Sequence, residues 1–282
     1  MYRGVTRRAQ AMLSPLVARL TRPRVRGSAG PEVEAAEFDE RGIPVPPLRL
    51  RGLVSGQDAV EEWLRGGAQD ACLIRELVER HTGTLSEMRS ILDFGCGCGR
   101  VARWWGDLHG PVIVGNDYDA DLTNWCQENL PGIAVKTNAP EPPLPFDSDT
   151  FDFVYAISLF THLTADAQEA WMRDVFRVLR PGGLLLFTVH GQIFTNHLTD
   201  QQRDLFAEGR IVVRNPEVNG AQACASYDPP AYVHGQLLPN AGLELIEVVP
   251  GDWAHGQVWT PMVLQDKYLA RKPPRSRASP AS

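Results

Sequence analysis

Residues Ile91–Arg103 read I-L-D-F-G-C-G-C-G-R-V-A-R, and this run decides the fold. Apolar Ile91 and Leu92 end a strand, and an acid follows at Asp93. Gly95, Gly97 and Gly99 come next at alternate positions, and a helical pattern begins after them. Alternate glycines let the main chain turn sharply and lie against a ligand with no Cβ in the way. An acid just before the turn is badly placed for a phosphate and well placed for a cation or a hydroxyl. The loop therefore points to a nucleoside carrying an amino acid. A dinucleotide fingerprint wants G-x-G-x-x-G, and Arg100 stands where its last glycine belongs.

The elements downstream fall in a fixed order. Val112–Asp117 (V-I-V-G-N-D) is a second buried strand ending in an acid, about twenty residues after the loop, where a carboxylate accepts from both ribose hydroxyls of an adenosine; a helix N-cap is the other use for Asp117. Ile133–Lys136 is a short third strand, with Thr137-Asn138-Ala139 behind it. Leu144-Pro-Phe146 and Thr150–Ile157 lead into and form a fourth, where Asp152 reads as structural. Ser158–Leu163 (S-L-F-T-H-L) lies beyond its carboxyl end, where open α/β sheets bind ligands. Residues 164–180 form an amphipathic helix with Trp171, Met172, Val175, Phe176 and Leu179 on one face. Arg180-Pro-Gly-Gly183 ends it, and Leu184–Val189 is a fifth buried strand.

The D-x-G-x-G-x-G run, the V-I-V-G-N-D strand, the L-P-F…F-D-F-V passage and the L-R-P-G-G turn together resemble the class I, Rossmann-like S-adenosylmethionine-dependent methyltransferases. The resemblance implies an α/β fold: a seven-stranded, mostly parallel sheet with helices on both faces, an N-terminal helical cover and an inserted lid. It implies S-adenosylmethionine as cofactor, bound by Asp93, Gly95, Cys96, Gly97 and Gly99, by Asp117 at the ribose, by Tyr118 beside the adenine, by Asn138 and Ala139 at the adenine edge, and by Ser158. Asn138 stands where the family usually has Asp and carries both donor and acceptor atoms. Residues 44–271 are expected to form the methyltransferase domain, with the lid at about 190–230. A helix near Ala231–Leu238 and strands at Leu243–Val249 and Val263–Ala270 complete it.

The acceptor is less legible. Transfer from a sulfonium is an in-line displacement in which positioning supplies much of the rate, and a base is needed only if the acceptor must lose a proton. His190, ending the fifth strand, and His162, beyond the fourth, are the histidines expected at the cofactor edge. They are the candidate catalytic residues, with a structural histidine as the other reading of each. Tyr227 and His234 rank below them, and His81 and His109 sit near helix ends on the wrong side. Asp228-Pro-Pro-Ala231 imitates a nucleic-acid amino-methylation motif, but falls too late in the chain and lacks its aromatic, so a proline-started helix capped by Asp228 accounts for it. A small-molecule acceptor, methylated at oxygen or nitrogen, is the expected partner. A nicotinamide-dependent oxidoreductase shares the second-strand acid but is opposed by Arg100 and Asp93. A non-catalytic S-adenosylmethionine-binding scaffold is the reading from outside catalysis.

Composition narrows the rest. Among 282 residues a net charge of −6, with both signs interspersed, disfavours a nucleic-acid partner. Five cysteines, two of them in the glycine loop, fit a reducing, cytoplasmic setting, and no second Cys or His pair matches Cys96-x-Cys98, so no metal is expected. No apolar run reaches the roughly 18 residues of a membrane span. Residues 1–43 form a basic, then acidic leader, expected to be poorly ordered; seven arginines precede Glu32, and residues 1–30 are a candidate for weak membrane-surface or protein contact. Pro44–Arg51 reads as extended, followed by helices at about 57–66 and 68–81 that cover the pocket. Arg49 or Arg51 can reach a methionine carboxylate, though solvation suits each. Residues 272–282 read as a disordered tail.

Overall fold

The computed structural model describes residues 37–106, 108–252 and 260–275. The basic segment 1–30 and most of the tail lie outside these, and so does any contact they make. Seven strands form one sheet: β1 (Ser90–Phe94), β2 (Val112–Asp117), β3 (Ile133–Thr137), β4 (Phe151–Ala156), β5 (Leu179–Val189), β8 (Glu244–Val249) and β9 (Asp266–Arg271), in the order β3-β2-β1-β4-β5-β9-β8. The first five are parallel, and β9 enters antiparallel between β5 and β8. A two-stranded ribbon, β6 (Val212–Arg214) and β7 (Ala225–Tyr227), stands apart. It belongs to the inserted segment, with a 3₁₀ turn at Gln192–His197 and the helix Asp200–Ala207.

The apolar runs are continuous because the sheet is covered on both sides. Successive side chains leave a strand on opposite faces, so neighbours part company. Leu92, Val154, Leu185 and Phe187 enter one core with Trp171, Met172 and Val175. Ile91, Phe153, Leu184 and Leu186 enter the other with Ala71, Ile74 and Leu77. Trp171, Met172 and Val175 come from the helix Ala165–Val178, whose N-cap Thr164 accepts from Ala167 N as a threonine cap should. The helix Ala120–Asn129 is capped by Asp119, which leaves Asp117 free of that duty.

Several elements differ from the sequence reading. Only residues 44–47 of the expected extended segment stay extended; Leu48–Val54 is a short helix (α1), started from Pro47 and stapled by Arg51, whose guanidinium donates to Pro46 O and Asp58 O. The two cover helices are one, Val60–Glu79 (α2), because Gly66 and Gly67 are packed tightly inside it instead of breaking it. The glycine loop opens only into a 3₁₀ turn, Ala102–Trp105, since Arg103 and Trp105 are drawn into the core and Gly106 follows at once. The late helix runs Pro230–Tyr232, then a π turn Val233–Leu237, then Leu238–Ala241. Asp228 does not cap it; that carboxyl is fully buried and used elsewhere. Residues Pro261–Leu264 are helical, so the last strand begins at Asp266.

Candidate active site

The order of strands reverses between β1 and β4, and the crevice at their carboxyl ends is where a sheet of this kind receives ligands. The glycine loop closes this end of β1. Gly95, Gly97 and Gly99 all have left-handed φ, at 77°, 54° and 73°, which a residue with a Cβ adopts only under strain. Their missing side chains also leave room for neighbours. A Cβ on Gly97 would lie 2.5 Å from Val54 of α1, and one on Gly95 would lie 3.1 Å from Leu159. A Cβ on Gly99 would lie 2.2 Å from Leu130, so Val54, Leu159 and Leu130 are the apolar side chains packed on the bend.

Two carboxylates border this bend. Asp117 is buried at the end of β2, its Oδ2 accepting from Gly97 N at 2.9 Å and its Oδ1 from Asp119 N at 3.0 Å. Burial raises its pKa, and those amide donors offset part of the rise. Asp93 is buried too and close enough to feel the charge of Asp117. Burial pushes it up to about 7 against the Tyr155 hydroxyl and the nearby Arg100 guanidinium. Tyr118 beside them is about half exposed, its ring available for stacking. Asn138 Oδ1 accepts from Asn116 Nδ2 at 2.6 Å and its own amide donates to Ala139 O, which fixes it at the tip of β3. Ser158 follows β4 with φ 59° and is held by Thr188 and Gln265. A non-glycine residue in that conformation is costly, and such residues gather at functional sites.

Comparison with known proteins decides the family. Residues 92–187 match the family described as "Methyltransferase domain". A Mycolicibacterium smegmatis protein named "Probable S-adenosylmethionine-dependent methyltransferase" is 31% identical over 204 residues, 71% of this chain and 66% of that one. The chain belongs to the class I S-adenosylmethionine-dependent methyltransferases. The sterol 24-C-methyltransferase erg6 of Schizosaccharomyces pombe is 37% identical over 99 residues, 33% of this chain and 26% of its own length. The methyltransferase thus spans under half the length of several curated relatives that it matches. A Methanosarcina mazei methyltransferase structure shares the fold at a TM-score of 0.53 and 20% identity, covering 71% of this chain and 98% of that one. The glycopeptide N-methyltransferase MtfA does so at 0.51 and 15%, covering 73% and 94%.

Just beyond the carboxyl ends of β4 and β5 stand the two histidines, each half-buried and close enough that their charges interact. His162 Nδ1 lies 2.8 Å from Cys224 O, and His190 Nδ1 lies 2.9 Å from Ser226 O. Burial depresses His162, and burial together with the neighbouring His162 charge takes His190 down to about 3, so both rings are neutral at ordinary pH. His190 packs against Phe194 and Tyr227, ring centroids 4.4 and 5.4 Å away. Tyr227 is buried and so serves as wall. His234 is exposed on the late helix, edge-on to Tyr268. His81 pairs with Glu247 at the far end of α2. Among the described residues no group of three His, Cys, Asp or Glu is arranged to hold a metal ion.

Neither arginine of α1 is aimed at a methionine carboxylate. Arg49 makes an exposed ion pair with Asp121, and Arg51 is buried on backbone carbonyls. The arginines that matter structurally are Arg100, paired with Asp70 of α2, and Arg103, held by Asp39, Ile43 O and Pro44 O. Asp39 lies within the stretch assigned to the leader and is buried; burial alone would raise its pKa, but amide and guanidinium donors from Ile43, Arg41 and Arg103 bring it to about 2.

Asp228 supplies a test by pH. Burial pushes its carboxyl up to about 7 from an ordinary 3.8. An acid whose folded pKa is raised stays protonated in the folded chain while the unfolded chain has released the proton, so its contribution to stability falls as pH rises from 3.8 through about 7 and is flat above. The loss is at most about 4 kcal/mol. His162 and His190, held neutral, act in the opposite sense below their ordinary range, so the comparison must be with Asp228→Asn. Urea midpoints are expected to favour the Asn variant over wild type more at about pH 8 than at about pH 5. A constant difference between the two proteins would show that Asp228 does not titrate in this interval.

Proposed function

We propose that this chain binds S-adenosylmethionine in the crevice over the glycine loop and transfers its methyl group to an oxygen or nitrogen of a small molecule held beneath the inserted segment. The observation that carries the reading is the convergence of two buried carboxylates, Asp93 and Asp117, on a side-chain-free bend at the switch point of the sheet. The residues present suit such a ligand. The bend admits main chain only; Asp117 would accept from the ribose hydroxyls, Tyr118 would stack on the adenine, Asn138 and the Ala139 amide would meet its edge, and Asp93, once ionised, would balance the methionine ammonium. Gly95, Cys96, Gly97, Gly99 and Ser158 contribute backbone.

The cofactor supplies an electrophilic methyl on a sulfonium, and displacement there requires alignment more than chemistry from the protein. The chain's share is to fix the acceptor in line and to take its proton. His190 and His162, both neutral, are placed to do the latter. An Nε2 lone pair accepts from the acceptor's O–H or N–H and receives the proton as the bond to carbon forms. Burial keeps the His190 ring neutral and its Nε2 lone pair free of a proton before the acceptor arrives. Five unpaired cysteines accord with a cytoplasmic setting, and among the described residues no helix is long and apolar enough to cross a membrane.

Calorimetry with S-adenosylhomocysteine is the direct test: folded protein is expected to bind one equivalent, and absence of heat at saturating concentration would remove the proposal. Mass spectrometry of extract metabolites that gain one methyl in the presence of protein and donor would identify the acceptor.

A further inference from the structure

The carbonyls that hold the two histidines belong to, or directly precede, a single strand of the insertion, β7, and that strand is pinned from behind. Ser226 is fully buried, its hydroxyl 3.0 Å from Asp228 Oδ2 and 2.9 Å from Phe160 O. Gln168 reaches in from the helix Ala165–Val178, its amide nitrogen 2.8 Å from Asp228 Oδ1, 3.0 Å from Ser226 Oγ and 3.0 Å from Phe160 O. The Asp228 amide donates to His190 O at 3.0 Å. The cluster holds no cation. Two donors from Gln168, one from Ser226 and the Leu163 amide, 3.2 Å from Phe160 O, face four acceptor atoms. A protonated Asp228 donates to Ser226 Oγ and frees the Ser226 hydroxyl to donate to Phe160 O. Burial moves the group in that direction.

A carbonyl oxygen only accepts, so an Nδ1 facing one must carry the ring proton, and the lone pair falls on Nε2. We propose that Asp228, through Ser226 and Gln168, is a positioning residue for both imidazoles: it fixes the backbone at Cys224 and Ser226 so that His162 and His190 are locked as Nδ1–H tautomers with a bare Nε2 facing the acceptor. Two such lone pairs suit an acceptor whose reacting atom is a hydroxyl or an N–H, which donates to them directly. That last statement rests on the methyl-transfer reading; the tautomers do not.

The test is nitrogen NMR of the full chain labelled at histidine, with His162→Gln and His190→Gln for assignment. At neutral pH both rings are expected to show a pyrrole-like Nδ1 and a pyridine-like Nε2. Asp228→Asn, which restores a donor in the same shape, is expected to leave this pattern intact. Asp228→Ala is expected to mix the tautomers at His190, its two nitrogens converging, with a smaller change at His162; Ser226→Ala cuts the same link and serves if the first variant does not fold. A proton on Nε2 of either ring in the wild type, or an unchanged His190 in a folded Asp228→Ala or Ser226→Ala, overturns the proposal. Calorimetry with S-adenosylhomocysteine on the same samples separates the two claims: locked tautomers without cofactor binding would sink the methyl-transfer reading and leave this one standing.

Discussion

Replacing Asp117 with Ala is expected to weaken S-adenosylhomocysteine binding by about 10- to 100-fold, the range for losing hydrogen bonds to a charged acceptor at about 1.5–3 kcal/mol. Asp117 has two duties, and the variant removes both. Its Oδ2 ties the end of β2 to Gly97 N in the free protein, and the ribose hydroxyls would share the same carboxylate. Asp117→Asn separates them. An asparagine keeps one oxygen for the Gly97 amide but turns the other position into a donor, so the tie to the glycine loop survives while the Asp119 amide and the ribose lose an acceptor. Calorimetry should therefore place Asn between wild type and Ala. Equal affinities for all three would mean that the acid at the end of β2 does not touch the ligand.

Asp70→Ala is expected to lower stability by about 3–5 kcal/mol, the usual penalty when one member of a buried ion pair is removed and the other is left uncompensated. Asp70 is fully buried on α2, and Arg100, also buried, reaches it from the glycine loop. One turn earlier, Gly67 packs directly on the Arg100 carbonyl, leaving no room there for a side chain. The pair therefore clamps the helical cover to the loop that would cradle the cofactor, and its loss should weaken S-adenosylhomocysteine binding as well as raise sensitivity to urea. Replacing both partners together, Asp70→Leu with Arg100→Met, is expected to recover most of the stability, because an apolar pair of similar volume carries no stranded charge. If the double variant were as unstable as Asp70→Ala, packing at the site and not the charge would be the cause.

The strands that build the sheet are readable in the sequence because both their faces are buried. An uninterrupted apolar run such as Phe153–Ala156 has only one home in a molecule of this size. The acid–glycine bend is readable because its backbone conformation excludes most residues. What lies hidden is paired at long range. Arg100 and Asp70 are thirty positions apart, yet one signal is present: Asp70 falls on the same helical face as Gly66, Gly67, Ala71, Ile74 and Leu77, all packed inward. A carboxylate on an apolar stripe needs a buried partner. Asp228 gives no such sign, since its partners Gln168 and Ser226 sit on other elements and its proline neighbours favour a cap. Leu48–Val54 escapes a sequence reading because its Pro-rich approach masks a helix that Arg51 staples from both ends.

The donor crevice is shaped chiefly by peptide groups, with three places where a side chain is forbidden and two acids at the margin. Such a cradle is indifferent to most of the alphabet. A chain can exchange the great majority of its residues, retune both hydrophobic layers and acquire new insertions, and still present the same hollow. Lineages can drift far apart in composition while the seat for one small molecule stays put, and novelty collects instead in the hairpin and helices laid over it.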